Sequence, residues 1–224
     1  MTLAEQARHL KSRGRRLRRG RKAGRRGRRH LPPLILMTDE ARHIDAEAAV
    51  RDLPRGSAVI LRHYGIENRR ALAARLARLC RRRGVKLLIA ADARLAAEVG
   101  AHGVHLPEHL ARRFARHRWR RGGRRPGWLL TSAAHSLAAL HLAARLRADA
   151  ALLSPVFATA SHPRATPLGP LRFSAWARKS PLPVYALGGV TAANARRLKG
   201  SGAAGIAGIG GLAGATADRR RNVR

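Results

Sequence analysis

The chain of 224 residues has a single cysteine, Cys80. A lone thiol cannot close an internal disulfide, so a reducing, cytoplasmic setting is the expectation. Long apolar runs are also missing. The nearest approach, GWLLTSAAHSLAALHLAARL at 127–146, is broken by Ser, His and Arg and is not expected to cross a bilayer. The apolar core of a secretory leader is absent near the start, where Arg and Lys stand instead. Acidic residues are scarce: 12 Asp and Glu oppose 47 Lys and Arg, for a formal net charge of +35. This imbalance predicts contact with anions, whether phosphorylated metabolites, nucleic acid or an acidic membrane surface, without choosing among them.

What is present fits one folded domain with basic extensions. The apolar share of 45% suits a globular core, and the length requires no second one. Residues 1–30 are expected to form a mobile basic arm. A short helical start, TLAEQARHLK, gives way to SRGRRLRRGRKAGRRGRRH, which offers almost nothing to bury. The arm is a candidate for nonspecific nucleic-acid contact through phosphates, yet it has no aromatic residue to stack on bases. Residues 215–224 read as a basic tail. The Arg-rich stretch at 111–127 reads as a solvated helix and turn.

Between 31 and 214 short apolar runs alternate with amphipathic stretches. The runs are LILM (34–37), SAVILR (57–62), VKLLIA (85–90), GVHL (103–106), WLLTS (128–132), AALLS (150–154), PVYALGG (183–189) and AGIAGIG (204–210). Strands that are apolar along their whole length are buried on both faces, as in a parallel sheet. Eight of them, separated by helical patterns such as ENRRALAARLARLCRRRG, predict a compact (β/α)8 barrel with a basic N-terminal extension.

In such a barrel the ligand site lies at the carboxyl ends of the strands, which directs attention to particular residues. Arg62 ends the second strand pattern, and a guanidinium there calls for an anionic partner. His135 follows the fifth strand, Gly188 and Gly189 follow the seventh, and Ile209 and Gly210 end the eighth. The loop after Ser154 carries Thr159, Ser161 and His162. A long polar loop at this position is a candidate binding element.

At these strand ends the chain resembles the thiamine phosphate synthase and TenI family. The resemblance rests on LILMTDEAR, ARLAAEVGAHGVHLPE, AHSLAAL, ADAALLSPVFATASHPRATPLG, PVYALGGVTAANARRL and GSGAAGIAGIGGL, which occur in family order over about 34–213. It implies a (β/α)8 barrel of thiamine biosynthesis whose partner is a phosphorylated thiazole. The family's synthases couple that thiazole to a hydroxymethylpyrimidine pyrophosphate, with Mg2+ assisting the leaving group.

Departures bear on the reaction. The family's Gln-x-Arg-x-Lys falls on Ile60, Arg62 and Tyr64, so only the Arg survives. Its Asn-Asp pair falls on Ala90 and Ala91, with Asp92 one position late. The strand-five serine falls on Ala133, with Ser132 beside it, and the loop lysine is His162. Mg2+ is therefore expected only if synthase chemistry is retained, and no metal ligands are assigned. The resemblance implies substrate contacts from Thr159, Ser161, His162 and Ser132, and phosphate contacts from Gly188, Gly189, Ile209 and Gly210. It also implies a closer likeness to the thiazole tautomerase branch, in which a histidine at the place of His135 moves a proton. A non-catalytic thiazole or thiamine phosphate-binding regulator and a homo-oligomer are further expectations.

Overall fold

A computed structural model describes residues 2–17, 30–40, 45–116, 125–159 and 163–209. The strands are β1 (Leu34–Met37), β2 (Ala58–Leu61), β3 (Lys86–Ala90), β4 (Gly103–Leu106), β5 (Leu129–Ala134), β6 (Ala150–Leu153), β7 (Val184–Ala186) and β8 (Gly205–Ile209). All pair in parallel in sequence order, and β8 returns to β1 to close the barrel. The helices are α1 (Leu3–Leu17), α2 (Ala46–Asp52), α3 (Arg69–Arg83), α4 (Ala93–Glu98), α5 (Glu108–Arg116), α6 (Leu137–Arg145) and α7 (Gly169–Lys179). A short 3-10 helix, Ala195–Leu198, takes a helix's place between β7 and β8. Among the described residues no helix is long and apolar enough to cross a membrane.

Local chemistry marks where several helices begin. The Asp45 carboxylate accepts the Glu47 N–H at 2.8 Å, Asp92 accepts Leu95 N–H at 2.8 Å, and the Ser136 hydroxyl accepts Ala139 N–H at 3.1 Å. Each satisfies a donor that the first helical turn leaves without a partner.

Alternation along the strands sorts the side chains into two cores. Ile35, Ile60, Leu88, Leu129, Leu152 and Tyr185 point into the barrel and fill it. Leu36, Leu61, Leu87, Leu130, Leu153 and Ile206 point outward against the helices. The Tyr185 ring is fully buried, and its hydroxyl donates to the Pro32 carbonyl, so the largest interior side chain is also satisfied as a donor.

The expectation of a mobile arm over 1–30 does not hold at its beginning. Leu3, Ala7 and Leu10 recur at helical spacing, are all buried, and lay α1 against β8, β1 and the 3-10 helix. Gln6 Nε2 adds a hydrogen bond to the Ala192 carbonyl at 3.0 Å. Burying the two leucines contributes roughly 1.5–3 kcal/mol each toward docking the helix on the barrel wall. The remainder of that stretch, 18–29, lies outside the described residues, as do 117–124 of the second Arg-rich stretch and the tail at 215–224.

Candidate functional site

Three groups of side chains and backbone stand at the carboxyl ends of the strands. The first spans β2 to β5. His105 points into the barrel, is 2% exposed, and shares a 2.9 Å hydrogen bond between its Nδ1 and the hydroxyl of the fully buried Thr131. Burial, and then the nearby Arg62 guanidinium, push its pKa down to about 3, so the ring is neutral. Burial raises the Tyr64 pKa, and the nearby Arg62 and Arg69 charges oppose that shift. The Arg69 Cζ lies 5.4 Å from the Tyr64 ring centroid.

Arg69 is the residue that the sequence reading missed. Its Nη2 donates to the Ala90 carbonyl at 2.7 Å and its Nη1 lies 3.6 Å from Asp92 Oδ2. Its Nε is buried with no hydrogen-bond partner. The guanidinium is thus held by the carboxyl end of β3 and the cap of α4, with one donor left unmet. In sequence it is one of many arginines around α3, and only the fold separates it from its solvated neighbours.

The second group joins β5 to α5. His135 continues the chain beyond β5, and its Nδ1–H donates to Glu108 Oε2 at 2.8 Å while its backbone N–H donates to the same oxygen at 2.9 Å. Arg112 Nε and Nη2 both donate to the other carboxylate oxygen, at 3.1 and 2.5 Å. Burial raises the Glu108 pKa, but the bonds from Arg112 and His135 outweigh it and hold the carboxyl below its ordinary range. The carboxylate therefore fixes the imidazole's tautomer and orientation.

The third group is the meeting of the β6 loop with the turn after β7. Val156 N–H donates to the Leu187 carbonyl at 2.9 Å and Phe157 N–H to the Gly188 carbonyl at 3.0 Å, so the loop extends the strand pairing. The far end of the loop folds back: Leu168 N–H reaches the Pro155 carbonyl and Gly169 N–H the Val156 carbonyl, both at 2.9 Å. This contact requires the two glycines. A Cβ on Gly188 would stand 2.9 Å from Pro155 Cα, and one on Gly189 only 2.2 Å from the Ala158 carbonyl oxygen, with φ of +90° and +64°. Among the described residues neither glycine's N–H is given to an acceptor. Gly189→Ala is accordingly expected to destabilise the fold by roughly 2–4 kcal/mol through left-handed backbone and a displaced loop. An unchanged urea midpoint would show that the turn can yield.

Among the other expected contacts, Thr159 and Ile209 are partly buried at the mouth, and Ser161, His162 and Gly210 lie outside the described residues. Ser132 is a correction. In β5 the residues Leu130 and Ala134 face the helices while Leu129 faces the interior, so Ser132 shares the outward face. It is 1% exposed and its hydroxyl donates to the Ala133 carbonyl at 3.2 Å, which removes it from the mouth.

Asp92 and Glu108 do not fit a Mg2+ site. Asp92 caps α4 with one oxygen and faces Arg69 with the other, and both Glu108 oxygens are engaged. Among the described residues no group of three His, Cys, Asp or Glu converges to hold an ion.

Strand order, interior packing and the polar groups at the strand ends define a (β/α)8 barrel that presents its chemistry at the carboxyl-terminal mouth. The thiamine monophosphate synthase profile matches residues 34–212. The chain is 34% identical over 171 residues to "Putative thiamine-phosphate synthase 2" of Aquifex aeolicus, covering 72% of this chain and 87% of that protein. It is 35% identical to "Thiamine-phosphate synthase" of Thiobacillus denitrificans over 139 residues, covering 62% and 64%. Its fold matches thiamine phosphate pyrophosphorylase from Pyrococcus furiosus with a TM-score of 0.65 at 22% identity, covering 87% and 96% of the two chains. This chain belongs to the thiamine monophosphate synthase and TenI family.

Proposed function

We propose that the barrel binds a phosphorylated thiazole at its mouth and moves a proton on that ring system, a tautomerase reaction, in preference to the pyrophosphate-displacing coupling. The observation that carries this reading is His135 held by Glu108, itself held by Arg112. Tautomerisation takes a proton from one atom of the ligand and returns one at another, with no leaving group and no redox change. One imidazole of fixed orientation suffices.

The remaining groups serve binding. The N–H groups of Gly188 and Gly189, with Ile209 and Gly210, are suited to the phosphate. Thr159, Ser161 and His162 would contact the ring and its substituents. Arg62 and Arg69 supply positive charge and directed donors across the mouth, where synthase-type clamps are absent from the sequence. Coupling would need Mg2+ at the departing pyrophosphate, and the engaged carboxylates give no support for it.

Binding is tested by thermal shift with the thiazole phosphate. Stabilisation of the wild-type chain is expected, and Arg69→Met should weaken affinity about 10–100-fold, the cost of one charge-assisted hydrogen-bonding group. Equal stabilisation of Arg62→Met, Arg69→Met and wild type would remove both arginines from the site.

A further inference from the structure

Each helix of this barrel runs back against its strand, so helix C-termini and strand N-termini share the face opposite the mouth. Cations crowd there: Arg81, Arg82 and Arg83 end α3, Arg145 ends α6, and Arg178 and Lys179 end α7. Helix dipoles account for a preference for positive charge at these positions. They do not account for what lies beside α3.

Between the N-terminal ends of β3, β4 and β5 is a cleft of about 300 Å³, lined among others by His30, Lys86, His102 and Trp128. The Arg125 guanidinium lies 5.9 Å from the Trp128 ring centroid. His102 Nδ1 accepts the Leu87 N–H at 3.1 Å, which leaves the ring proton on Nε2. Burial, and then Lys86 and Arg81, disfavour a second proton on that ring. Lys86 Nζ is anchored on the His30 carbonyl at 3.0 Å. On the same side, among the described residues, Asp52 is exposed, Asp149 accepts Leu130 N–H at 2.8 Å, and Glu98, which ends α4, pairs with Arg70 and Arg94.

We propose that this face docks single-stranded nucleic acid, with one base entering the cleft against Trp128 and the flanking phosphates held by Lys86, Arg125 and Arg81. Cations tracking a backbone and an aromatic ring for a base are the two components of sequence-tolerant single-strand binding. A duplex keeps its bases stacked and cannot offer one to a recessed ring. A lipid surface would meet protruding groups, whereas the aromatic here is set in a concavity. The lining residues belong to the barrel except His30, the last residue of the basic arm.

The test uses the full chain and a short oligouridylate bearing 5-iodouracil, crosslinked by light and mapped by mass spectrometry. A crosslink at Trp128 is expected. Trp128→Ala should weaken oligonucleotide binding about tenfold. Arg125→Ala, a change of an exposed side chain, should lower the slope of log affinity against log salt by about 0.7 and keeps the proposal testable if Trp128→Ala misfolds. Thiazole phosphate binding should be unchanged in both. Crosslinks confined to the terminal Arg-rich segments, with both variants binding like wild type, would overturn the proposal. So would binding of inorganic polyphosphate or phosphatidylserine vesicles that matches the oligonucleotide and ignores both substitutions.

Discussion

His135→Ala is expected to lower the rate of thiazole phosphate tautomer conversion by roughly 10²–10⁴, the usual contribution of a positioned general acid–base. Affinity should stay within a few-fold of wild type, because the imidazole acts on the proton rather than on the phosphate. Glu108→Gln separates position from chemistry. The amide keeps an acceptor near the imidazole but removes the charge that fixes the ring, so a smaller loss and a displaced pH–rate profile are expected. Saturation transfer or chromatographic assay of the two tautomers reads both variants. Full activity in His135→Ala would transfer the proton step to another group and leave the His135–Glu108 pair as a structural tie.

Acid should unfold this protein unusually early, and His105 is the main expected cause. In the unfolded chain its imidazole takes a proton as pH falls through about 6.5. In the folded barrel, burial and Arg62 hold the pKa down to about 3. The unfolded state therefore binds more protons between these values, so the stability present above pH 6.5 is lost as pH falls toward 3. The loss from this residue is on the order of 4 kcal/mol across the window. His63 and His102, both lowered chiefly by burial, act in the same direction. Glu108 acts later, because its folded pKa is depressed and its share is lost only below the ordinary carboxylate range. His105→Leu should flatten urea midpoints between pH 6.5 and 4, by arithmetic from the same linkage. A wild-type midpoint that is constant across that range would contradict a neutral buried ring.

The barrel was legible because its strands are apolar along their whole length. GVHL at 103–106 coincides with β4, whereas SAVILR runs one residue past β2 at each end, at Ser57 and Arg62. The α1 packing was present as the Leu3, Ala7 and Leu10 stripe, but the arginines that follow hid it in a description by composition. Strand parity also limits transfer by resemblance. Ser132 stands beside the position a family serine would take, and one residue along a strand reverses the face. Arg69 left no signal, since what distinguishes it is a burial created by Tyr64, Ala90 and Asp92 from separate strand ends. Asp92 and Glu108 are carboxylates near strand ends, a pattern that by itself suggests an ion site. A helix cap and a histidine partner use the same residue types.

The central claim is proton transfer on a thiazole phosphate without pyrophosphate chemistry. The most direct measurement is a paired NMR and mass-spectrometric assay of the purified chain. One sample holds the thiazole phosphate tautomer alone; the other adds hydroxymethylpyrimidine pyrophosphate and Mg2+. Tautomer conversion in the first, with no thiamine phosphate in the second, is the predicted result. Thiamine phosphate formation with no conversion of the lone tautomer would contradict it, and would place Arg62 and Arg69 at a departing pyrophosphate.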